Sequence, residues 1–223
     1  DIIITATDDA NDTPGNEDNI IIRSGVTIRS DRGKVILRAG DNIIIEDGAT
    51  ISGANGVEFF IDYGNADSAP GRIQILGDVD GLNVLIEGDS QNDIIDIDDA
   101  IIAPSITVDG LGGDDQITIN TSLNASSGDI RILGGSGEDD LIVTASGSLT
   151  AGSITFDGGS QADDIQLLGT IQATGAGVTI DGDSNDDVIL IDPVLLTGDV
   201  TVLGGTGDDD ITVNQLHTRS LSD

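Results

Sequence analysis

The sequence predicts an all-β protein folded as a single-stranded parallel β-helix, with about 22–24 residues in each turn of the solenoid. Three observations predict this fold. A register of glycine, aspartate and apolar residues repeats at a fixed spacing, short apolar segments alternate with period two, and no segment sustains a helical period. An antiparallel sandwich of short strands would not impose a fixed residue period. We call each turn of the predicted solenoid a rung.

The repeat is anchored on a glycine that opens an acidic turn. The six anchor glycines lie 22, 24, 24, 24 and 22 residues apart: Gly88, Gly110, Gly134, Gly158, Gly182 and Gly204. An aspartate stands five positions after each anchor, and we call these the motif aspartates: Asp93, Asp115, Asp139, Asp163, Asp187 and Asp209. Apolar residues occupy the second and fourth positions before each anchor and the seventh and ninth after it. Each rung therefore has two predicted strands flanking the turn, with apolar side chains inward.

A third and weaker apolar pair follows in each repeat, as in Leu123/Ala125, Leu149/Ala151 and Ile171/Ala173. Three short strands in about 24 residues describe one rung of a parallel β-helix. With the N-terminal strands included, we expect about eight to nine rungs and a length of roughly 40 Å at the usual strand spacing.

The N-terminal third keeps the strand pattern and lacks the acidic turn. We therefore expect one continuous solenoid domain in three parts. Residues 1–86 form rungs without the acidic-turn motif, residues 87–213 form rungs with acidic Gly/Asp turns, and residues 214–223 form a frayed C-terminal end that holds the single histidine, His217. Five of the eight basic residues lie in the first 40 positions, so the acidic edge is assigned to residues 87–210.

Composition narrows the classes of partner. The chain has 41 acidic against 8 basic residues and a formal net charge of −33, which repels nucleic acid and anionic membranes and attracts cations. A hydrophobic content of 37% argues against disorder. No apolar run approaches the roughly 20 residues that span a bilayer. The absence of methionine indicates that the chain does not begin at a translational start, so we expect a mature fragment or an excised segment.

One aspartate per rung at the same turn position creates a ladder of like charges. Rungs stack about 4.8 Å apart, and each neighbouring pair then repels by roughly 1 kcal/mol in bulk water, or roughly 3.5 kcal/mol at an effective dielectric constant of 20. Only Arg131 lies between Gly88 and Asp210 to offset this charge. The neutralising charge is therefore expected from solution.

Calcium is the expected ion because it takes six to eight oxygen ligands in flexible geometry, from carboxylates and carbonyls alike. Magnesium demands a stricter octahedron and is second choice. The absence of cysteine and the single histidine exclude the usual zinc and copper sites. A plainer interpretation stays open, in which Gly, Asp, Asn and Ser are simply the residues that tight turns use and the acidic edge is solvated.

Two copies of the turn resemble a known motif. "GGSGEDDLI" (134–142) and "GGTGDDDIT" (204–212) fit GGxGxDxUx, and so resemble the calcium-binding nonapeptide of the haemolysin-type, repeats-in-toxin proteins. The resemblance implies that calcium is held between successive rungs by the motif aspartate and turn carbonyls, here Asp139 and Asp209 with Gly134, Ser136, Gly204 and Thr206. The other four copies depart from the motif, with Gln91, Gln161 or Asn185 at the fourth position or Leu111 at the second. The implied ligands there are Asp93, Asp115, Asp163 and Asp187.

The period also departs from that family, whose β-roll packs two nonapeptides into each rung and binds calcium along both edges. One nonapeptide per 22–24 residues leaves a single edge for ions. The rung length instead resembles the β-helices of large bacterial exoproteins of the filamentous-haemagglutinin kind. The two resemblances together imply a calcium-binding structural or adhesive segment of a secreted or cell-surface bacterial protein. Its expected partners are calcium ions, cell-surface or matrix glycans and flanking repeats of the same chain, with no nucleic acid and no membrane insertion.

Enzymatic and other binding functions remain as alternatives. Parallel β-helices house polysaccharide-acting enzymes, but catalytic groups should interrupt a repeat, and these aspartates follow it. Sugar-binding platforms usually need exposed aromatic rings, and the chain has one tyrosine, Tyr63, and no tryptophan. We therefore expect no enzymatic activity and no catalytic residue. A carbohydrate- or ice-binding solenoid is the remaining alternative, because threonines recur on the outward face: Thr107, Thr155, Thr179 and Thr201.

Overall fold

The computed structural model describes residues 1–7, 18–64, 70–192, 195–197 and 199–214. Their regular structure consists entirely of β-strands, and every strand pair among them is parallel. No helix in this part of the chain is long and apolar enough to cross a membrane. The predicted fold class, an all-β parallel solenoid, is confirmed. The frayed C-terminal end expected for residues 214–223 lies outside the described residues from residue 215 onwards, and so does His217.

Short strands build the first four rungs, three strands to each rung. They are β1 (Ile2–Thr5), β2 (Ile20–Ile22), β3 (Thr27–Ser30), β4 (Lys34–Arg38), β5 (Asn42–Ile45), β6 (Thr50–Gly53), β7 (Gly56–Phe60), β8 (Arg72–Ile75), β9 (Asp78–Gly81), β10 (Asn83–Glu87), β11 (Ile94–Ile97) and β12 (Ile101–Ile102).

Longer strands appear in the later rungs, because the third strand of one rung runs on into the first strand of the next. The later strands are β13 (Ser105–Gly112), β14 (Gln116–Ile119), β15 (Ser122–Ser136), β16 (Asp140–Val143), β17 (Ser148–Ser160), β18 (Asp164–Leu167), β19 (Thr170–Ser184), β20 (Val188–Ile191), β21 (Leu195–Thr197), β22 (Val200–Leu203) and β23 (Asp210–Val213). The described strands thus make eight rungs and the first two strands of a ninth.

Parallel pairing assembles the strands into three stacks. The first stack, before the acidic turn, runs β1, β4, β7, β10, β13, β15, β17, β19 and β22. The second, after the turn, runs β2, β5, β8, β11, β14, β16, β18, β20 and β23. The third runs β3, β6, β9, β12, β15, β17, β19 and β21. The acidic turns therefore lie one above another at the corner between the first two stacks.

Apolar side chains fill the space between the stacks. The predicted inward positions of five repeats are buried, as the period-two register requires, and Ile132 is 1% exposed. In the sixth repeat Ile211 and Val213 are 42% and 47% exposed. That difference has a simple cause, because no described strand stacks beyond β23. Two phenylalanines, Phe59 and Phe156, are the largest side chains in a core otherwise made of thin aliphatic layers.

The outward threonines do not form one continuous row. The pairing register places Arg131 between Thr107 and Thr155, so a charged side chain interrupts the row in the middle of the stack. Thr155 and Thr179 are neighbours, and Thr201 follows them in the next rung. Outward threonine at these positions is an ordinary choice for a half-exposed strand.

A pair of aspartate substitutions tests the inward register. Ile132→Asp should cost more than about 4 kcal/mol or prevent folding, because it puts an unpaired charge between apolar layers. Thr155→Asp, which faces outward beside Arg131, should stay within about 1 kcal/mol of the parent protein. Urea unfolding followed by circular dichroism measures both. Equal damage from the two substitutions would contradict the register.

Candidate functional site

The acidic turns share one backbone shape from the second copy onwards. In five turns the residues one and three positions after the anchor glycine have positive φ: Leu111 and Gly113, Gly135 and Gly137, Gly159 and Gln161, Asp183 and Asn185, and Gly205 and Gly207. Gln161 and Asn185 replace the motif glycine and still adopt the left-handed conformation, so the turn survives these departures. In the first turn neither Asp89 nor Gln91 has positive φ, so this copy is shaped differently.

The motif aspartates point inward and form a hydrogen-bonded ladder. Five of them are only 1–2% exposed: Asp93, Asp115, Asp139, Asp163 and Asp187. The backbone N–H of each donates to Oδ1 of the motif aspartate in the next rung, at 2.7, 2.7, 2.9, 2.9 and 3.1 Å from Asp93 to Asp187 as donors. Asp209 accepts the last of these bonds and is half-buried. The carboxylates thus tie successive turns together through the backbone.

The second carboxylate oxygen of each ladder residue turns back against the anchor glycine of its own rung. A Cβ atom on Gly134 would lie 2.5 Å from Asp139 Oδ2 and 2.5 Å from the carbonyl oxygen of Gly158. A Cβ on Gly204 would lie 2.3 Å from Asp209 Oδ2. The anchor must therefore be glycine because carboxylate and carbonyl oxygens occupy the space of a side chain. The glycines one and three positions later serve the different purpose of a left-handed turn.

Four of these inner oxygens have no hydrogen-bond partner although they are buried: Oδ2 of Asp115, Asp139, Asp163 and Asp187. A buried polar atom without a partner is costly, by roughly 1–3 kcal/mol. The structure thus brings each motif aspartate against its own anchor glycine, including Asp139 against Gly134 and Asp209 against Gly204. It leaves oxygen atoms in that space which a proton or a cation can satisfy.

The other two turn residues implied by the resemblance lie on the exposed rim. Ser136 and Thr206 are exposed, and their carbonyl oxygens accept backbone N–H groups of the preceding rung, from Gly113 at 2.8 Å and from Asn185 at 2.7 Å. A carbonyl oxygen can accept a second hydrogen bond. However, neither Ser136 nor Thr206 is among the nearest neighbours of the anchor glycines, Gly134 and Gly204, against which the aspartate Oδ2 atoms lie.

Burial governs the acidity of the ladder. Desolvation raises the pKa of Asp115 to about 9, against the hydrogen bond from the Asp93 amide, which lowers it. The same cause raises the pKa of Asp139 to about 6 and that of Asp163 to about 7. Neighbouring carboxylates add to the shift in each case. Without a cation the ladder therefore holds protons near neutral pH.

Few fixed positive charges are near the ladder. The four ion pairs of the described residues are Arg23–Glu46, Arg29–Asp31, Lys34–Glu58 and Arg72–Asp96, and none includes a motif aspartate. A second, exposed row of acids runs beside the ladder, one position earlier in four of the six turns: Asp114, Glu138, Asp186 and Asp208. In this outer row two backbone N–H groups donate to the carboxylate of the preceding rung, whereas in the ladder the backbone N–H donates to the following rung. Glu138 N donates to Asp114 Oδ1 at 3.0 Å, and Asp208 N donates to Asp186 Oδ1 at 2.8 Å. The edge is therefore doubly acidic.

The ladder also extends into the N-terminal rungs, which sequence reasoning missed. The register aligns Asp41, Gly71 and Asp93 in one column. Asp41 is 7% exposed and accepts a hydrogen bond from the Asp18 amide at 2.5 Å. A signal existed in the sequence, because Asp41 stands two residues before Ile43, as Asp93 does before Ile95.

One acidic residue outside the register joins the ladder. Asp62, from the turn after β7, has its Oδ2 2.8 Å from the position that a Cβ on Gly71 would take. It thus supplies a carboxylate where the column has glycine. Asp62, Asp89 and Asp93 offer oxygens that all lie within 4.8 Å of one another.

Comparison with family models, with curated proteins and with solved structures finds no match for this chain. The residues of the turn edge therefore carry the functional argument.

The raised pKa values predict an unusual pH dependence in metal-free buffer. The folded ladder keeps protons that the unfolded chain, with carboxyl pKa values of about 4, has released. Stability should therefore fall as pH rises from 5 through 8, by about 1.4 kcal/mol per pH unit for each proton held in excess by the folded state. Urea unfolding at several pH values measures this slope. Asp115→Asn should make the slope shallower above pH 7, and stability that rises with pH over this range would contradict the prediction.

Proposed function

We propose that this chain is a non-enzymatic structural segment whose acidic turn edge binds calcium ions that stabilise the stacked rungs. The observation that carries the proposal is the row of buried Oδ2 atoms without partners, repeated at one position along an edge that has almost no basic residue. An edge of this kind has to acquire protons or cations to remain folded.

The donor set fits calcium. It consists entirely of oxygens, namely the carboxylates of the motif aspartates and the anchor-glycine carbonyls that face the same space, as Gly158 O faces Asp139 Oδ2. Hard oxygen donors of mixed carboxylate and carbonyl type are what calcium prefers. The ions would be held by Asp93, Asp115, Asp139, Asp163, Asp187 and Asp209 with these carbonyls. Bound calcium supplies positive charge and ligand bonds to oxygens that otherwise repel.

Three features of the turns prepare a place for such an ion. The backbone N–H of each motif aspartate keeps Oδ1 of the next in place, so only Oδ2 has to find a partner. The anchor glycine keeps side-chain atoms out of the space. Left-handed residues after the anchor hold the turn closed around it. The similarity of 134–142 and 204–212 to the repeats-in-toxin nonapeptide supports the same choice of ion.

The proposed setting is a secreted or cell-surface bacterial protein with an adhesive or scaffolding role. Calcium is scarce in the cytosol and abundant outside cells, so the edge would leave the chain loose before export and lock it afterwards. Glycans of a cell surface or matrix and flanking repeats of the same chain are the proposed partners. The acidic surface disfavours nucleic acid and anionic membranes.

A crossover in stability tests the calcium proposal. Asp139→Asn keeps an Oδ1 acceptor for the Asp115 amide and removes one buried charge. In chelator at pH 8 we expect this variant to be at least as stable as the parent protein. In calcium the parent should gain about 2.7 kcal/mol per site at a hundredfold excess over the dissociation constant, and the variant should gain less.

Thermal unfolding with calcium, magnesium or chelator measures the crossover. Asp129→Asn is the matched control, because it makes the same charge change at a residue whose carboxylate accepts from Ser153 Oγ, away from the turns. It should keep the full calcium response. Identical unfolding of the parent protein in calcium and in chelator would show that the edge is merely solvated.

A further inference from the structure

We propose that Asp62, Asp89 and Asp93 form a site for one calcium-sized divalent cation that is built differently from the later turns and links Asp62, just after β7, to the fourth rung. The site is not a copy of the repeating turn, since one ligand comes from outside the repeat. It deepens the calcium-binding function proposed above, but its occupancy does not depend on ions elsewhere in the ladder.

The three carboxylates converge from two rungs. Asp62 follows β7 in the third rung, and Asp89 and Asp93 lie in the turn between β10 and β11 in the fourth. One oxygen from each lies within 4.8 Å of the other two. A calcium ion holds its ligands at 2.3–2.6 Å, so oxygens on opposite sides of it are about 5 Å apart. The spacing therefore admits one calcium ion between the three groups.

Asp62 is the member that has a carboxylate oxygen left over. It is 8% exposed, and its Oδ2 has no hydrogen-bond partner. Asp93, by contrast, accepts from the amides of Gly71 and Asp89, each at 2.9 Å. Asp89 accepts from the Gln91 amide at 2.8 Å. An unpartnered and nine-tenths buried carboxylate oxygen that faces two other carboxylates needs a cation or a proton.

Nearby positive charge is directed elsewhere. The charges that act on Asp62 come from three carboxylates, Asp93, Asp89 and Asp41. The Arg38 guanidinium lies over the rings of Phe60 and Tyr63, 5.8 and 5.1 Å from their centroids. Arg72 pairs with Asp96.

The backbone is shaped for this arrangement. Asp62 has φ 51°, in the left-handed region, which residues other than glycine seldom adopt. Gly71 leaves the space in which Asp62 Oδ2 lies. The turn from Gly88 to Asp93 lacks the left-handed residues of the five later turns, and its Asp89 amide bonds to Asp93 instead. These local departures from the repeat coincide at the proposed site.

Terbium luminescence offers a selective test, because Tyr63 is the only tyrosine and the chain has no tryptophan. Terbium replaces calcium at oxygen sites and emits when a nearby aromatic ring passes it energy. Since Tyr63 directly follows Asp62, tyrosine excitation reports terbium at this site far more strongly than terbium three rungs away at Asp163. We expect saturable emission from the full chain that added calcium reverses, and Tyr63→Phe should abolish it.

Matched aspartate variants identify the ligands. Asp62→Asn and Asp89→Asn should each raise the terbium concentration at half-saturation by about tenfold or more. Asp129→Asn should leave it within about twofold, because the Asp129 carboxylate accepts from Ser153 Oγ, away from the turns. If Asp62→Asn does not fold by circular dichroism, Asp89→Asn at the half-exposed position decides by the same criterion.

The outcomes separate this site from the ladder. Absence of tyrosine-sensitised emission at saturating terbium, or unchanged half-saturation in the folded variants, would overturn the site. Failure of the ladder proposal would instead appear as an unchanged calcium response of Asp139→Asn in thermal unfolding, with the terbium emission intact.

Discussion

Burial of one carboxylate in every rung of the acidic edge is the constraint on which the remaining features of that edge depend. Because Oδ1 accepts the amide of the preceding rung, the carboxylate has to lie inside the turn. Because Oδ2 then presses against the start of the turn, the anchor has to be glycine. Because the chain has to close around that carboxylate in four residues, positions one and three after the anchor become left-handed. The glycine and aspartate spacing of the sequence records these requirements.

The strands could be predicted from the sequence. The shape of the acidic edge could be predicted only in part. Apolar pairs such as Ile130 and Ile132 reveal the inward face because period-two alternation has a direct physical cause. The position of Asp139 could also be predicted, because the repeat places an aspartate five residues after each anchor glycine. The role of the anchor glycine could not be predicted. A glycine in a sequence pattern can be required either for a left-handed backbone or because neighbouring atoms fill the space of a side chain, and the pattern does not distinguish the two. In the folded chain Gly134 belongs to the second kind, because carboxylate and carbonyl oxygens fill the space that its side chain would take.

Asp41 and Asp62 mark two different limits of the sequence. Asp41 holds the ladder register and could have been found by aligning Ile43 with Ile95, but the short turn that precedes it hid the resemblance. Asp62 could not have been found that way. It reaches the ladder column from a turn of irregular length, opposite a glycine, and no spacing rule links it to Asp93. A contact between a residue outside the repeat and a residue within it depends on how the chain folds, and a sequence spacing does not predict it.

The physical chemistry of the edge links stability to its surroundings. Protons and divalent cations compete for the same buried oxygens, so acidity and calcium are alternative ways to neutralise the ladder. At a pH above the raised pKa values, and without cations, the rungs repel one another at their most regular corner. Folding of the edge therefore depends on the supply of protons or cations, and the calcium proposal rests on this dependence.

Hydrogen exchange at the ladder amides tests the central claim most directly. The amides of Asp115 and Asp139 donate to the carboxylates of the next rung. At pH 8 they should therefore exchange slowly in calcium and much faster in chelator, while core amides of the third stack change less. Equal protection of these two amides with and without calcium would contradict the claim that ions bound to buried carboxylates hold the turns together.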